Sequence, residues 1–386
     1  MCPPVRRADT QVGPYTDQPP AETGMSNRRH GRYGEVIEVI VDYVEGLGVK
    51  SLSQIKKSSL VTIVAGLLCL VSSQASAAEP TKVLIAHGAI SNNVEPLWIA
   101  KEQGIFRKHG IDAELVFIIA GRAMQAMLAG QVPVGLVGGT HVVNANTGGG
   151  DFTMILGLEN QLDYWFLAKS TIKSGEDLKG KKVGIGTPAG SASLAAYVSM
   201  DYLGLVPRRD NIVLLGIGGV PERMSALRSG SVDATTLSPE IGQQVLGEGY
   251  RVLVDLGKEN VQFQSSGLVF SRSWMKNNLQ LVENIAKATV EGTAFVHKPA
   301  NKEVVLKSLG RNLRLVKPDQ MEKAYQGLIG ALPKRPCPSI EGMNAVVKLM
   351  VQHGINTKAA QLKPEEQLDM SFCKRFEDSG FFKSLY

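Results

Sequence analysis

Apolar positions in this chain fall into short runs bounded by glycine or proline, and the stretches between them carry apolar residues at helical spacing. Short buried strands alternating with amphipathic helices form the pattern of an α/β protein. Strands are predicted at residues 82–86, 113–118, 134–137 and 153–158, with helices over 96–103 and 122–129. A second series predicts strands at 183–186, 212–215, 233–237, 251–255 and 267–271. Its helices run from about Ser191 to Tyr202 and over 221–229. From Leu279 onward the chain reads as mostly helix, broken at Lys317-Pro318, with a helix over 319–332 and a clearly amphipathic one over 340–353.

The two series are copies of one design. Residues 82–132, laid without a gap over 182–232, pair Lys82 with Lys182, Ile85 with Ile185 and Ser91 with Ser191. Gly104 pairs with Gly204, Met124 with Met224, Gly130 with Gly230 and Val132 with Val232. Two α/β units of one design imply a cleft faced by matching loops, a place to hold a small molecule. The competing reading is two βαβ units merged into one doubly wound sheet.

In open α/β sheets, ligands sit beyond the carboxyl ends of strands, where loops meet helix N-termini. That rule selects Ser91, Asn92, Gly121, Arg122, Gly139, Thr140, His141, Glu159 and Asn160 from the first series. From the second it selects Thr187, Gly190, Ser191, Ala192, Gly219, Ser238 and Glu240. Small residues let backbone N–H groups approach a ligand, and a helix N-terminus favours negative charge, so a carboxylate or sulfonate suits these loops. Arg122 is a candidate anion partner, with a solvated surface arginine as the alternative. Gly190 is expected to allow close backbone approach and a positive φ. Glu159 and Glu240 end strands on opposite units, where they suit a cationic or donor group, or a contact between units. Trp98, Tyr164, Trp165 and Tyr197 are candidate cleft aromatics, with the core as the favoured place for Trp98, one turn into a helix whose apolar face must pack.

Charge and the missing motifs narrow the chemistry. The net charge of +6 is spread without basic runs, so nucleic acid is not indicated as a partner. Gly184-Ile185-Gly186-Thr187-Pro188-Ala189 follows a strand in the loose dinucleotide pattern, but the next strand ends in Leu215-Gly216 with no acidic residue for a ribose. The sequence contains no phosphate-binding P-loop motif, no G-x-S-x-G elbow and no His or Cys pair at metal-ligand spacing. Neither a cofactor nor a metal is expected.

Lys56-Lys57, the apolar run 60–71 and Ala75-Ser76-Ala77 read as a secretory signal peptide with cleavage after Ala77. Residues 1–77 are then a leader, and a mature chain of about 310 residues is exported to the periplasm. The leader is long ahead of its apolar run, so translation is expected to start inside it, for example at Val49 or Leu52. Cys337 and Cys373 survive cleavage, either as a disulfide or as two separate apolar residues. Pro336 and Pro338 suggest a stiff surface segment around Cys337.

Several segments carry a family resemblance. Pro96-Leu97-Trp98-Ile99-Ala100-Lys101-Glu102-Gln103-Gly104-Ile105-Phe106 resembles the first-helix signature of periplasmic solute-binding proteins, in the group serving nitrate, sulfonates, taurine and thiamine-pyrimidine precursors. Asp177-Leu178-Lys179-Gly180-Lys181-Lys182-Val183-Gly184 resembles the start of that group's second lobe. Residues 126–132 and 226–234 resemble its repeated helix–glycine–strand units.

The resemblance implies an α/β, two-lobed periplasmic-binding-protein type II fold with a ligand cleft. Lobe 1 would comprise 78–169 plus 266–386 and lobe 2 residues 170–265, with crossings near Ala168 and Ser265. It also implies a monomer that binds a small, anionic organic solute and hands it to an ABC transporter permease, without catalysis. An exported enzyme or a sensor-associated binding protein on the same fold is the alternative. The cysteine-rich cluster of yeast-type pyrimidine synthases does not occur, and the loop 87–92 lacks an aromatic for stacking.

Overall fold

In the computed structural model, which describes residues 79–386, the two series of strands become two five-stranded sheets. The expected signal peptide, its cleavage site and the translation start lie outside the described residues. The first sheet contains β1 (Thr81–His87), β2 (Ile111–Phe117), β3 (Val134–Val137), β4 (Phe152–Gln161) and the late strand β10 (Gln262–Ser271). Its order is β2-β1-β3-β10-β4, with β1 parallel to β2 and β3, and β10 antiparallel to both its neighbours. The second sheet contains β5 (Trp165–Lys169), β6 (Lys182–Ile185), β7 (Val213–Gly216), β8 (Ala234–Leu237) and β9 (Tyr250–Asp255). Its order, β7-β6-β8-β5-β9, repeats the first, with β5 as the antiparallel insertion. Two sheets rule out the single doubly wound sheet.

Helices cover each sheet. The first carries α1 (Glu95–Glu102), α2 (Ile105–Lys108), α3 (Ala120–Leu128) and α4 (Gly139–Thr147). The second carries α5 (Ser191–Tyr202), α6 (Val220–Arg228) and α7 (Pro239–Leu246). The chain then returns to the first lobe and continues as α8 (Arg272–Asn277), α9 (Leu279–His297), α10 (Lys302–Asn312), α11 (Pro318–Ala331), α12 (Ile340–Gln352), α13 (Ser371–Asp378) and α14 (Phe381–Leu385). Leu97, Trp98, Ile99, Phe106, Phe270, Phe372 and Phe376 pack into the first lobe's core, so Trp98 is a core residue.

The repeat holds from the helices onward. α3 and α6 are offset by 100 residues, and the glycine after each, Gly130 and Gly230, takes a left-handed φ of 70° and 74°. A side chain rarely adopts that backbone, which is why glycine stops both helices. Met124, Met224, Val132 and Val232 are all buried. The gapless alignment slips in the first strand: Ile85 pairs with Val134, whereas Val183 pairs with Ala234.

The crossings fall earlier than expected. β5 lies wholly in the second sheet and β10 wholly in the first, so the chain crosses at 162–164 and 256–261 rather than near Ala168 and Ser265. The two crossing segments run side by side, Leu162 N–H donating to Val261 O at 3.0 Å and Leu256 N–H to Tyr164 O at 2.9 Å. Cys337 and Cys373 form a disulfide with Cα atoms 5.8 Å apart. Pro336 and Pro338 are buried, and the Pro336 carbonyl accepts from Gly157 N–H, so this segment is packed on β4 instead of standing free at the surface.

Candidate functional site

The carboxyl ends of both parallel strand sets face one cavity of about 100 Å³ between the sheets. A water needs roughly 10–15 Å³ of such space, so the cavity holds several waters or one small organic molecule. Ser91 and Asn92 follow β1, His141 lies in the first turn of α4, and Glu159 nears the end of β4. The second lobe contributes Thr187, Gly190, Ser191 and Ala192 around the start of α5, Gly219 before α6, and Ser238 and Glu240 around the start of α7. The lobes approach closely at Gly138, where a Cβ would lie 2.7 Å from both Ser191 Oγ and Ser265 O. Ser191 Oγ donates to Ser265 O at 3.4 Å, and Asn92 N–H to Glu240 Oε1 at 3.2 Å.

The walls are acidic and poor in cations. Burial pushes the Glu159 carboxyl up to about 8, helped by the negative charges of Asp163 and Glu240. Burial likewise raises Asp163 to about 7, with Glu240 and Asp255 adding to it, and raises Glu240 against the opposing bond from Ser238. Removing a charge from water disfavours the ionised form, and a second like charge disfavours it further. His141 is neutral, burial bringing it down to about 4, and its Nδ1 lies 3.0 Å from Thr140 Oγ1. Arg223 also lines the cavity, but its Nε donates to Thr236 O at 3.1 Å and its Nη1 to Gly218 O.

A family model described as NMT1/THI5 like matches residues 91–302, more than half of the chain. The chain belongs to the NMT1/THI5-like family. The matched span starts at Ser91 and takes in all the cavity-lining residues named above; Gly88, Ala89 and Ile90, which also line the cavity, precede it. The alkanesulfonate-binding protein SsuA from Xanthomonas axonopodis pv. citri, bound to MOPS, superposes with a TM-score of 0.62 at 17% identity over 76% of this chain and 99% of that one. The periplasmic nitrate-binding protein NrtA from Synechocystis PCC 6803 gives 0.64 at 12% identity over 78% and 89%. A conserved Candida albicans gene product exhibiting the generic periplasmic binding protein fold gives 0.60 at 11% identity over 75% and 96%. The fold is therefore the two-lobed α/β fold of periplasmic binding proteins. A comparison with curated proteins returns no match.

Five residues of this NMT1/THI5-like chain expected at the ligand lie elsewhere. Gly139 and Thr140 are not loop residues but open α4, which aims Gly138 and His141 at the cavity and turns Gly139 toward Gln264 and Met343. Gly121 and Arg122 sit in the first turn of α3, where Ala120 faces the cavity and Arg122 is exposed. Asn160 follows Glu159 on a strand, and successive strand side chains point to opposite faces. Its amide accordingly donates to Cys337 O at 2.9 Å and accepts from Gln264 Nε2. Gly190 has a φ of −80°, so the positive φ expected there belongs to Ala189, at 60°. Gly190 is needed for space instead: a Cβ would lie 2.8 Å from Thr187 Oγ1 and 3.4 Å from His141 Cε1.

Among the candidate aromatics, Tyr164 lines the cavity, whereas Trp165 packs over Gly242 and Tyr197 stacks on His353 at 4.9 Å. Asp163 and Arg223 were not anticipated. Asp163 lies in the crossing segment, which has no periodicity to mark it. Arg223 sits one turn into α6, and its spacing of three from Val220 was the available signal.

Proposed function

We propose that this protein is the extracytoplasmic substrate-binding component of an ABC importer, exported by its leader and acting as a monomer beside a membrane permease. The observation that carries this reading is a cavity walled by both lobes, which are joined by two adjacent crossing segments about which they can close. The resemblance of the fold to sulfonate- and nitrate-binding proteins supports it. Among the described residues no helix is long and apolar enough to cross a membrane, so uptake through this reading requires a separate permease.

Binding without catalysis fits the hydroxyl groups at the cavity. Ser91 donates to Asn93, Ser191 to Ser265 O and Ser238 to Glu240, which leaves none of them paired with a histidine base. The anionic solute expected from the sequence rested on backbone N–H groups at the helix starts, with Arg122 as a candidate partner; Arg122 is exposed and lies outside the cavity.

Uptake and scattering test the proposal. Cells lacking the gene should lose ATP-dependent uptake of the solute that stabilises the purified protein, and small-angle scattering should show compaction when that solute is added. Unchanged uptake, together with an unchanged scattering radius at saturating solute, rejects it.

A further inference from the structure

If the cavity is a solute site, as proposed above, its walls specify one feature of the solute. Glu159, Asp163 and Glu240 reach it from the end of β4, the first crossing segment and the first turn of α7. Glu159 and Glu240 are only 9% and 5% exposed. Among the described residues none of the three is ion-paired. Glu159 Oε2 accepts from Asn93 Nδ2 at 2.7 Å, and Glu240 Oε1 accepts from Ser238 Oγ at 2.7 Å, all neutral donors. Arg223, the single Lys or Arg among the lining residues, has Nε and Nη1 committed to backbone carbonyls.

A second observation points into the same space. His141, 8% exposed, lines the cavity with a buried Nε2 that has no hydrogen-bond partner. A buried polar atom without a partner is costly, and a buried carboxylate without a counter-charge more so. Among the described residues no group of three His, Cys, Asp or Glu is gathered closely enough to hold a metal ion. The acids and the open His141 Nε2 are spread around the cavity, a layout that suits an organic cation with several donors.

We propose that the solute carries a cationic nitrogen group with more than one N–H donor, of the amine, amidine or guanidine class, seated between Glu159 and Glu240 with His141 Nε2 as a further contact. Such a group replaces protons that the acids otherwise hold, since burial and mutual repulsion bring Glu159 up to about 8 and Asp163 to about 7. The other titratable groups around them are Tyr164, Arg223, Glu222 and Asp255, of which only Arg223 is a cation. An anion in the same place would require the three carboxyls to stay protonated.

The sign of proton exchange separates the two cases. The full protein, freed of bound solute by unfolding and refolding, is screened by thermal shift with ethylamine, guanidinium, benzamidine and 2-aminoethanesulfonate, against nitrate, acetate and ethanesulfonate. Calorimetry on each binder in two buffers of different ionisation enthalpy counts protons. The expected result is binding confined to the nitrogen cations and the zwitterion, with release of about one proton at pH 7. Affinity should rise between pH 6 and 8. Glu159→Gln, isosteric and free of the buried charge, should weaken that probe at least tenfold and remove most of the proton release. Binding of nitrate or ethanesulfonate with proton uptake overturns the nitrogen group while leaving the solute site standing. A flat response to every probe, cationic and anionic, overturns the solute site itself.

Discussion

Glu95 and Glu240 occupy the same local setting, the first turn of a helix with little or no solvent exposure, and burial raises the pKa of both. Their surroundings differ. Glu95 is sealed in the first lobe with neither carboxyl oxygen hydrogen-bonded. Glu240 accepts from Ser238 and from Asn92 N–H and faces a cavity. Glu95 does not line the cavity, and only Ser308 and Arg311 act against the cost of its burial. At Glu240 the proposed cation would relieve the cost, which would make an otherwise unfavourable group useful for recognition. Core and cavity should therefore respond differently to substitution, stability moving in one and affinity in the other.

The largest effect is expected in the core. Cys373→Ser opens a disulfide spanning 36 residues, which should lower unfolding free energy by about 3–4 kcal/mol while solute affinity is retained. Chemical denaturation and calorimetry measure the two halves, and a parallel loss of affinity would show that the disulfide also shapes the cavity. Gly190→Val acts on the other region. Overpacking against Thr187 and His141 should cost about 1–3 kcal/mol of stability and abolish detectable binding. Wild-type affinity in the folded variant would place the solute elsewhere.

Glu95→Gln sharpens the contrast through pH. Burial holds the folded pKa of Glu95 well above its ordinary 4.5, so its contribution is intact below pH 4.5 and is lost as pH rises through the folded value. The variant should gain about 1–3 kcal/mol at pH 7, gain nothing at pH 4, and bind solute normally. A destabilised variant at pH 7 would mean that the carboxylate is ionised and satisfied. Ser191→Ala, which removes one hydrogen bond at the junction of lobes and cavity, should cost binding about 0.5–1.5 kcal/mol. Arg122→Ala should leave affinity unchanged, and a measurable loss would bring the exposed guanidinium back to the solute.

Much of this could be read locally. β3 occupies Val134–Val137, as its apolar run predicted, and the stops at Gly130 and Gly230 were marked by glycine after a helical period. Eleven of the sixteen expected site residues line the cavity, because strand ends and helix starts locate loops reliably. The differences have a common origin: at a strand end or helix start only alternate or every third residue faces inward. Asn160 sits beside Glu159 but on the other face of β4, and Arg122 lies a partial turn from Ala120. Which face is inward depends on what the element packs against.

The sequence by itself determined the order of strands and helices, the internal repeat and the glycines that end its helices. These are properties of period and backbone freedom, encoded within a few residues. The tertiary structure decided which sheet β5 and β10 join, and hence where the chain crosses. It also decided which acids share the cavity and that Arg223 is held by carbonyls rather than by those acids. Contacts such as Gln264 Nε2 to Glu159 O and Ser191 Oγ to Ser265 O join residues 105 and 74 positions apart, and no local pattern records them.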